Sequence, residues 1–393
     1  MRPMDRRLFL RHAALIGCSA AASPLITPMA FASAPGDNRL VVIVLRGAMD
    51  GLDAFQPYGD PDLAGLRRTI SLGPDHGALD LDGFFALHPA LSGLMPLWQA
   101  GQLAFAPAVS TPYRDKRSHF DGQDMLEAGT GTDAPIRNQT DGWLNRLLQQ
   151  MPDQSSQTAY AVGGERMRIL DGAADSMSWS PRSTLNLSPQ AERLLAHVYH
   201  DDPLLRHSSE QAIAIAEGLS PDILSEGRMS EHLELARFTA DRLNRETRIA
   251  TFSISGWDTH AAQANTLKRA LTQLSEAILT LRDELGRNWD TTTVMAMTEF
   301  GRTARENGSA GTDHGTGGAM LVAGGAVCGG RVLGEWPGLA EGDLYAGRDL
   351  MPVRDIRAYA AWAMHQKFGI AKSTLEGAIF PGLDMGGDPR LLA

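Results

Sequence analysis

Short apolar runs alternate with helically spaced segments along most of this chain. The runs cover residues 40–45, 103–109, 249–254, 291–297 and 319–323, and helical spacing covers 89–100, 118–128, 261–285 and 353–368. A continuous apolar run is typical of a strand that is covered on both faces. The alternation therefore predicts an α/β fold with a mostly parallel central sheet and helices on both faces.

The first 32 residues have a pattern of their own. Arg6 and Arg7 precede an apolar, Ala-rich stretch that ends in Ala-Phe-Ala at 30–32, which is typical of a secretory signal of the twin-arginine type. We expect the twin-arginine export machinery to be a partner and the folded protein to be periplasmic or secreted. An amphipathic N-terminal helix, or a lipoprotein cleavage box ending at Cys18, are the alternatives. Residues 33–393 are expected to form a single domain with a helical insertion around 165–245.

Composition excludes several classes of protein. The 393 residues carry 36 Lys plus Arg against 46 Asp plus Glu, a net charge of −10, and no basic tract, which argues against nucleic-acid binding. After residue 32 no apolar run approaches the roughly 20 residues that cross a bilayer, so no membrane span is expected in the mature protein. Two cysteines exclude a disulfide framework or a cysteine zinc site, and Cys328 is expected to be buried rather than reactive.

Carboxylates and imidazoles follow the ends of the predicted strands. Asp50 follows the first strand, Asp258 and His260 follow the strand at 249–254, and Glu299 follows the strand at 291–297. Ligands of open α/β sheets bind at this edge, and such side chains are typical ligands of Zn, Mn or Mg. Each residue alone is also an ordinary turn or cap residue.

The loop after Glu299 adds Asp313 and His314 to these candidates, together with a basic side chain. Arg302 is the candidate partner for an oxyanion. A nucleophile is suggested by Ser118, which stands at the start of a predicted helix, where the dipole favours an anion. A plain N-cap explains Ser118 equally well.

Five sequence blocks resemble the signatures of one bacterial family. They are LRGAMDGL at 45–52, RSHFDGQD at 117–124, GWDTH at 256–260, TEFGRT at 298–303 and GTDHG at 311–315. In order and spacing they resemble the exported family called domain of unknown function 1501. That family is grouped with the alkaline phosphatase-like superfamily, which includes phosphatases, sulfatases and cofactor-independent phosphoglycerate mutases.

The resemblance implies one or two divalent metal ions, of the Zn, Mn, Mg or Ca type. Asp50 would bind one metal, with Ser118 as the nucleophile that bridges towards it. The other metal would be held by Asp258, His260 and His314, while Glu299 stands where the superfamily's Asp-His pair begins.

Two departures from the superfamily pattern put this ligand set in doubt. The usual Asp-x-x-x-His is here Asp258-x-His260, so the two side chains are not expected to reach one ion in the usual geometry. Phe300 replaces the histidine of the pair. Either the second site is weaker and oxygen-rich, favouring Mg or Ca, or one metal binds; Asp313 is a possible replacement ligand.

The leading hypothesis is a metal-dependent hydrolase of phosphate or sulfate esters. Ser118 would attack, and Arg302 or His119 would bind the nonbridging oxygens or protonate the leaving group. The substrate would be an anionic small molecule or a glycan. The alternatives are a non-catalytic, metal-containing binding or assembly protein on a degenerate fold, and a lyase or transferase acting on a sugar.

Overall fold

The computed structural model describes residues 36–70, 73–131, 141–181, 198–199, 206 and 230–392. The predicted signal at 1–32 and most of the predicted insertion around 165–245 lie outside these residues and stay predictions. Within the described residues, no helix is both long and apolar enough to span a bilayer.

Twelve strands and nine α-helices are formed by the described residues. The strands are β1 (Arg39–Arg46), β2 (Phe55–Gln56), β3 (Leu79–Asp80), β4 (Ala86–Leu87), β5 (Leu103–Ser110), β6 (Ala159–Val162), β7 (Met177–Trp179), β8 (Ile249–Ser255), β9 (Thr292–Thr298), β10 (Gly318–Ala323), β11 (Arg331–Val332) and β12 (Arg354–Asp355). The α-helices are α1 (Gly51–Ala54), α2 (Leu63–Leu66), α3 (Met95–Gln99), α4 (His119–Ala128), α5 (Trp143–Leu148), α6 (Glu231–Leu243), α7 (Gln263–Leu285), α8 (Ile356–Phe368) and α9 (Lys372–Thr374). Short 3-10 turns cover Pro74–His76, Pro89–Leu94, Ser156–Thr158, Arg168–Leu170, Gly286–Thr291 and Glu341–Asp343, and a π-turn covers Leu375–Ile379.

The central sheet has the order β11, β5, β10, β9, β1, β8, β6, β7, with β12 beside β5. β1 lies in the middle and pairs in parallel with β8 on one side and β9 on the other, so Val41 lies beside Ala250 and Val294. A small separate sheet is formed by β2, β4 and β3. The predicted α/β class, with a mostly parallel central sheet, is confirmed.

Both faces of the sheet are buried, which explains the unbroken apolar sequence of β1. Val41, Ile43 and Leu45 contribute to one core cluster, which includes residues of α6 and α7. Leu40, Val42 and Val44 contribute to a second cluster, which includes residues of α5 and α8. Because successive side chains of a strand point to opposite faces, a strand between two helical layers needs apolar residues at every position.

The structure departs from the expectations in four places. β10 runs antiparallel to both β5 and β9, and β6 and β7 were not anticipated. The segment predicted as one helix at 89–100 is a 3-10 turn followed by the short helix α3. Cys328 is exposed, so the expectation of a buried thiol is wrong; it lies in the turn after β10 rather than in the sheet.

The carboxyl ends of three adjacent parallel strands meet at one edge of the sheet. β1 ends at Arg46, β8 at Ser255 and β9 at Thr298. The loops that follow these strands carry most of the residues that the sequence singled out. Ligands of open α/β sheets bind at this edge, so these loops form the candidate site.

Candidate metal centre

Four side chains from three separate segments converge at this edge. His119 is the first residue of α4, Asp258 and His260 follow β8, and His314 lies in the loop between β9 and β10. The ligating atoms of His119, Asp258 and His314 all lie within 4.8 Å of one another. His260 joins this cluster, because its Nε2 lies 2.9 Å from His314 Nε2.

Asp258 lies at the centre of the cluster. Its Oδ1 is 3.0 Å from His260 Nε2 and 3.2 Å from His314 Nε2. Its Oδ2 is 3.4 Å from His119 Nε2. Asp258 and His260 therefore lie in contact despite their spacing of two residues, whereas their geometry around one ion stays a prediction.

The second ring nitrogen of each histidine faces a hydrogen-bond acceptor. His119 Nδ1 lies 2.8 Å from Glu299 Oε1, His260 Nδ1 lies 3.1 Å from Asp313 Oδ1, and His314 Nδ1 lies 2.9 Å from the carbonyl of Arg117. A carbonyl or an ionised carboxylate only accepts, so in the neutral rings each Nδ1 carries the proton. The three Nε2 atoms then present lone pairs to one another and to Asp258.

This arrangement fits a divalent cation. Ligand atoms about 2.0–2.2 Å from one tetrahedral ion are separated by roughly 3.3–3.6 Å. Four contacts within the cluster measure 2.9 to 3.4 Å, and the ligating atoms of His119, Asp258 and His314 all lie within 4.8 Å of one another. His119 Nε2 is buried without a hydrogen-bond partner among the described residues. A buried lone pair that faces a carboxylate is satisfied either by a proton on the ring nitrogen or by a metal cation between the two groups.

The charges around the cluster favour a cation as well. Three carboxylates, those of Asp258, Glu299 and Asp313, surround the imidazoles, and one guanidinium, that of Arg302, opposes them. The sum of three negative charges and one positive charge is −2. The hydrogen bond to Glu299 raises the pKa of His119, whereas burial lowers the pKa of His314.

Arg302 supports Asp258 and does not face open space. Its Nη1 donates to Asp258 Oδ1 at 2.8 Å, its Nε donates to Thr312 Oγ1 at 3.2 Å, and its Nη2 donates to the Thr312 carbonyl. Partial burial disfavours the charge of Asp258, but the hydrogen bond and charge of Arg302 hold its pKa below the usual value. The predicted role of Arg302 as an oxyanion partner is therefore corrected, since its side chain is buried and all three nitrogens are already engaged.

Glu299 is fully buried and its Oε1 is surrounded by donors. That oxygen accepts from the backbone N–H groups of Gly47 and Ala48, from Gln123 Nε2 and from His119 Nδ1, all between 2.8 and 3.2 Å. This oxygen has no room for a metal ion. The prediction of Glu299 as a ligand is corrected: it fixes the ring of His119 and the loop after β1.

Asp50 is also occupied by protein groups. Arg67 binds both of its oxygens, at 2.6 and 3.1 Å, and Gln263 Nε2 donates to Oδ2 at 2.6 Å. Asp50 additionally caps α1 by accepting from the N–H of Leu52. Both oxygens of Asp50 are therefore taken up by protein groups, an environment that does not support the predicted metal site, and the role of Asp50 as a ligand stays a prediction.

Gln263 connects this buried pair to the metal centre. Its Nε2 donates to Asp50 and to Asp53, and its Oε1 accepts from the hydroxyls of Thr259 and Thr312. The Thr312 hydroxyl in turn accepts from Arg302. A continuous buried network therefore runs from Asp50 to Arg302, which holds Asp258.

Ser118 caps helix α4, as the plain interpretation of the sequence predicts. Its Oγ accepts from the N–H of Asp121 at 3.4 Å, and its own N–H donates to the hydroxyl of Tyr113. Its neighbour Arg117 has a positive φ of 52°, which turns the Arg117 carbonyl towards His314. Ser118 thus stands in the chain between two residues that contact the cluster, while its role as nucleophile stays a prediction.

The positions of Asp313 and His119 in the structure suggest roles other than those predicted from the sequence. Asp313 contacts the outer nitrogen of His260 and accepts from Asn307 Nδ2 at 3.1 Å, so it orients a ligand instead of replacing one. His119 was predicted to bind substrate oxygens or to act as an acid. The structure places its Nε2 beside Asp258, in the group of side chains that could hold a metal ion, and Phe300 stacks on its ring at 5.3 Å.

The supporting residues Arg67 and Gln263 gave no signal in the sequence, because each partner lies elsewhere in the chain. Gln123 lies in the block at 117–124 that carries the family resemblance, but nothing in that block marked it as a partner of Glu299. Gly47 is a weak signal: its φ is 122°, and a Cβ there would lie 2.7 Å from the backbone nitrogen of Asp258. Such close packing of two loops marks the site but does not identify its chemistry.

Comparison with known proteins gives one family match along the chain. The family described as "Protein of unknown function (DUF1501)" matches residues 37–373. No curated protein matches the chain.

Several solved structures are distantly similar. A protein in the alkaline phosphatase superfamily from Vibrio parahaemolyticus is 13% identical over 73% of this chain and 60% of its own, with a TM-score of 0.35. The C-terminal periplasmic domain of EcEptC from Escherichia coli, in complex with Zn, is 8% identical over 73% of each chain, with a TM-score of 0.39. Alkaline phosphatase from the Antarctic bacterium TAB5 is 11% identical over 73% of this chain and 91% of its own, with a TM-score of 0.35. With identities and TM-scores this low, the site is interpreted from the residues of this chain.

Proposed function

The chain belongs to the DUF1501 family, as its sequence blocks predicted, and we propose that it is a metal-dependent hydrolase of phosphate or sulfate esters. One divalent cation would be held by Asp258, His260, His314 and His119. The observation that carries this proposal is the meeting of three Nε2 lone pairs with one carboxylate, each ring being fixed by an acceptor on its far side.

The donor set favours zinc or a similar transition metal. Three imidazoles and one carboxylate match the ligands that Zn²⁺ prefers, whereas Mg²⁺ and Ca²⁺ prefer sites made of oxygen. Glu299, Asp313 and the Arg117 carbonyl are the acceptors that orient the three rings. The site is open to solvent on one side, because the side chains of Asp258 and His260 are 44% and 45% exposed. A bound cation would polarise an ester oxygen and neutralise charge that develops on it.

The residues around the cluster would bind and attack the ester. The N-terminus of α4 carries the partial positive charge of a helix start, which stabilises an anion beside Ser118. The N–H of Asp121 already donates to Ser118 Oγ, and this contact would stabilise the alkoxide that attacks. Arg302 would keep Asp258 ionised and turned towards the cation.

Metal analysis of wild-type protein and matched variants tests the metal site. Protein without a histidine tag is expected to contain about one equivalent of metal, because one cluster fits a cation. His260→Ala should lose it, and His76→Ala, which removes an exposed imidazole outside the cluster, should keep it. Protein that takes up no metal even after reconstitution, or a His260→Ala variant that retains it, would contradict the proposed centre.

Turnover of 4-nitrophenyl phosphate and 4-nitrophenyl sulfate tests the activity. Ser118→Ala is expected to abolish turnover and to leave the metal content unchanged. Turnover by this variant at the wild-type rate would exclude Ser118 as the nucleophile. Stable metal binding without turnover of either ester would favour the alternative, a non-catalytic binding protein. That alternative is also consistent with Asp50 and Glu299, whose carboxylates are occupied by hydrogen bonds from other protein groups.

Export by the twin-arginine pathway is proposed from residues 1–32 alone. Replacing Arg6 and Arg7 together by Lys is expected to leave the protein in the cytoplasm, whereas the unaltered chain should be processed and found outside it. Export of the altered chain would contradict this assignment.

A further inference from the structure

A cleft of about 550 Å³ opens beside the metal centre. Two of its lining residues also contact metal-binding groups. Asp313 contacts His260 Nδ1, and Arg348 Nη1 donates to the carbonyl of His314 at 3.0 Å. A molecule that reacts at the centre would therefore extend naturally into this cleft.

The base of the cleft is aliphatic. Leu66, Leu339 and Leu344 line it and belong to one small buried cluster. Leucine side chains present C–H groups without polar atoms, so this base fits the C–H face of a ring and offers no hydrogen bonds.

The walls of the cleft carry basic side chains. Arg68, Arg305 and Arg348 line it. Arg305 makes one long contact, 3.4 Å, to the carbonyl of Gly65, and Arg68 has no side-chain partner among the described residues. Arg348 is engaged by the His314 carbonyl and by Asp349, so the guanidiniums of Arg68 and Arg305 are the donors available to a ligand.

Acidic side chains balance these arginines. Asp62, Glu306, Glu341 and Asp313 also line the cleft, so four negative charges stand against three positive ones, a sum of −1. Glu306 is held in place by the backbone and the hydroxyl of Thr69, at 2.9 to 3.0 Å. The cleft is therefore lined by both acceptors and donors, and these side chains carry almost no net charge.

We propose that this cleft binds a sugar ring, as the part of the substrate that does not react. The inference rests on the proposed function, because the sugar would be the part of the substrate to which the phosphate or sulfate ester is attached. Hydroxyls both donate and accept, so a sugar satisfies carboxylates and guanidiniums together. A second anionic group would meet four carboxylates, and an apolar group would leave charged side chains without water or partners.

Binding of sugars without an ester tests the cleft independently of turnover. Glucose, galactose, N-acetylglucosamine and maltose are added at millimolar concentration to the full chain, and saturation-transfer NMR reports which of them binds. At least one should bind. Arg305→Ala and Glu341→Ala should each weaken its binding roughly tenfold, the usual consequence of losing a hydrogen bond to a charged group. Arg287→Ala is the matched control, because Arg287 is exposed and precedes β9 at the opposite end of the strand.

Measurements of turnover distinguish an error in the sugar-site proposal from an error in the proposed hydrolase function. On glucose 6-sulfate or glucose 6-phosphate, Arg305→Ala should raise KM, whereas the control Arg287→Ala should leave it unchanged. If no ester is turned over but a sugar binds in the cleft, the hydrolase proposal fails and the sugar site stands. If none of the four sugars binds, or the cleft variants bind as wild type does, the sugar site is refuted whatever the activity.

Discussion

Asp53 is a buried carboxylate whose ionisation should control the pH dependence of stability. It is 2% exposed, and it accepts from Gln56 Nε2 at 3.1 Å and from Gln263 Nε2 at 2.9 Å. Burial, followed by the negative charge of Asp50, raises the pKa of Asp53 to about 6. We therefore expect the folded protein to hold this proton well above the pH at which an unfolded chain releases it.

The size of the effect follows from the shift. An unfolded aspartate has a pKa of about 3.9 and each unit is worth about 1.36 kcal/mol, so the shift of Asp53 corresponds to roughly 3 kcal/mol. The folded pKa is raised, so this contribution to stability is fully present below about pH 4 and is lost as the pH rises through about 6. Above about pH 7 the folded state carries the whole cost of the buried charge.

Asp53→Asn removes this titration. The variant also loses a contact, because Gln56 and Gln263 both donate to Asp53, and an amide nitrogen in its place offers one of them no acceptor. Each glutamine is held by its own Oε1, which accepts from Gly73 or from the two threonines. That loss, about 1 kcal/mol, does not depend on pH, so the diagnostic quantity is the slope with pH and not the stability at one pH.

Urea unfolding from about pH 4 to pH 8 measures this slope. The free energy of unfolding of Asp53→Asn, minus that of wild type, should rise by roughly 3 kcal/mol across the range. Asp75→Asn, at an exposed aspartate, should show a nearly constant difference. If the difference in unfolding free energy between Asp53→Asn and wild type does not change with pH, the reasoning is refuted. Such a result would show that the buried carboxyl of Asp53 does not titrate between about pH 4 and pH 8.

Three further predictions concern the site, the fold and the free thiol. Glu299→Gln should weaken metal binding about 10- to 100-fold, since it alters the group that orients His119; competition with a chromogenic chelator measures this, and unchanged affinity would contradict the role given to Glu299. Gly301→Ala should lower the melting temperature strongly, because its Cβ would lie 1.9 Å from the Gly317 carbonyl oxygen, whereas Gly377→Ala, with nothing within 4 Å, should not. Cys328 is exposed and should react with a thiol reagent in native protein as completely as in denaturant; protection in the native state would be inconsistent with the structure.

The layers of the fold were predictable because local sequence determines them. A strand covered on both faces must be apolar at every position, and the runs at 40–45 and 249–254 meet that requirement. The direction of β10 was not predictable, because its apolar run, at 319–323, is the same whichever way the strand is traversed. Its antiparallel pairing with β5 depends on the path by which the loop from Glu299 to Gly318 leads the chain back to the sheet.

Part of the candidate site was predictable for a similar reason. Asp258, His260 and His314 follow strands whose carboxyl ends share one edge, and the structure brings their side chains together. Asp50 also follows a strand that ends at this edge, but its carboxylate pairs with Arg67. No sequence pattern around Arg67 distinguishes it from other arginines. Whether a carboxylate meets a cation or an arginine is decided by distant parts of the chain.

The wide separation along the chain of the proposed metal ligands has a consequence for where the cation would be chosen. His119 and His314 are brought together only by the completed sheet, so an unfolded chain would hold no such site, and the free energy of binding the proposed metal would add to that of folding. The compartment in which the chain folds would then supply the metal. For a protein exported after folding, as residues 1–32 predict, that compartment would be the cytoplasm, and the metals abundant outside the cell would have no part in the choice.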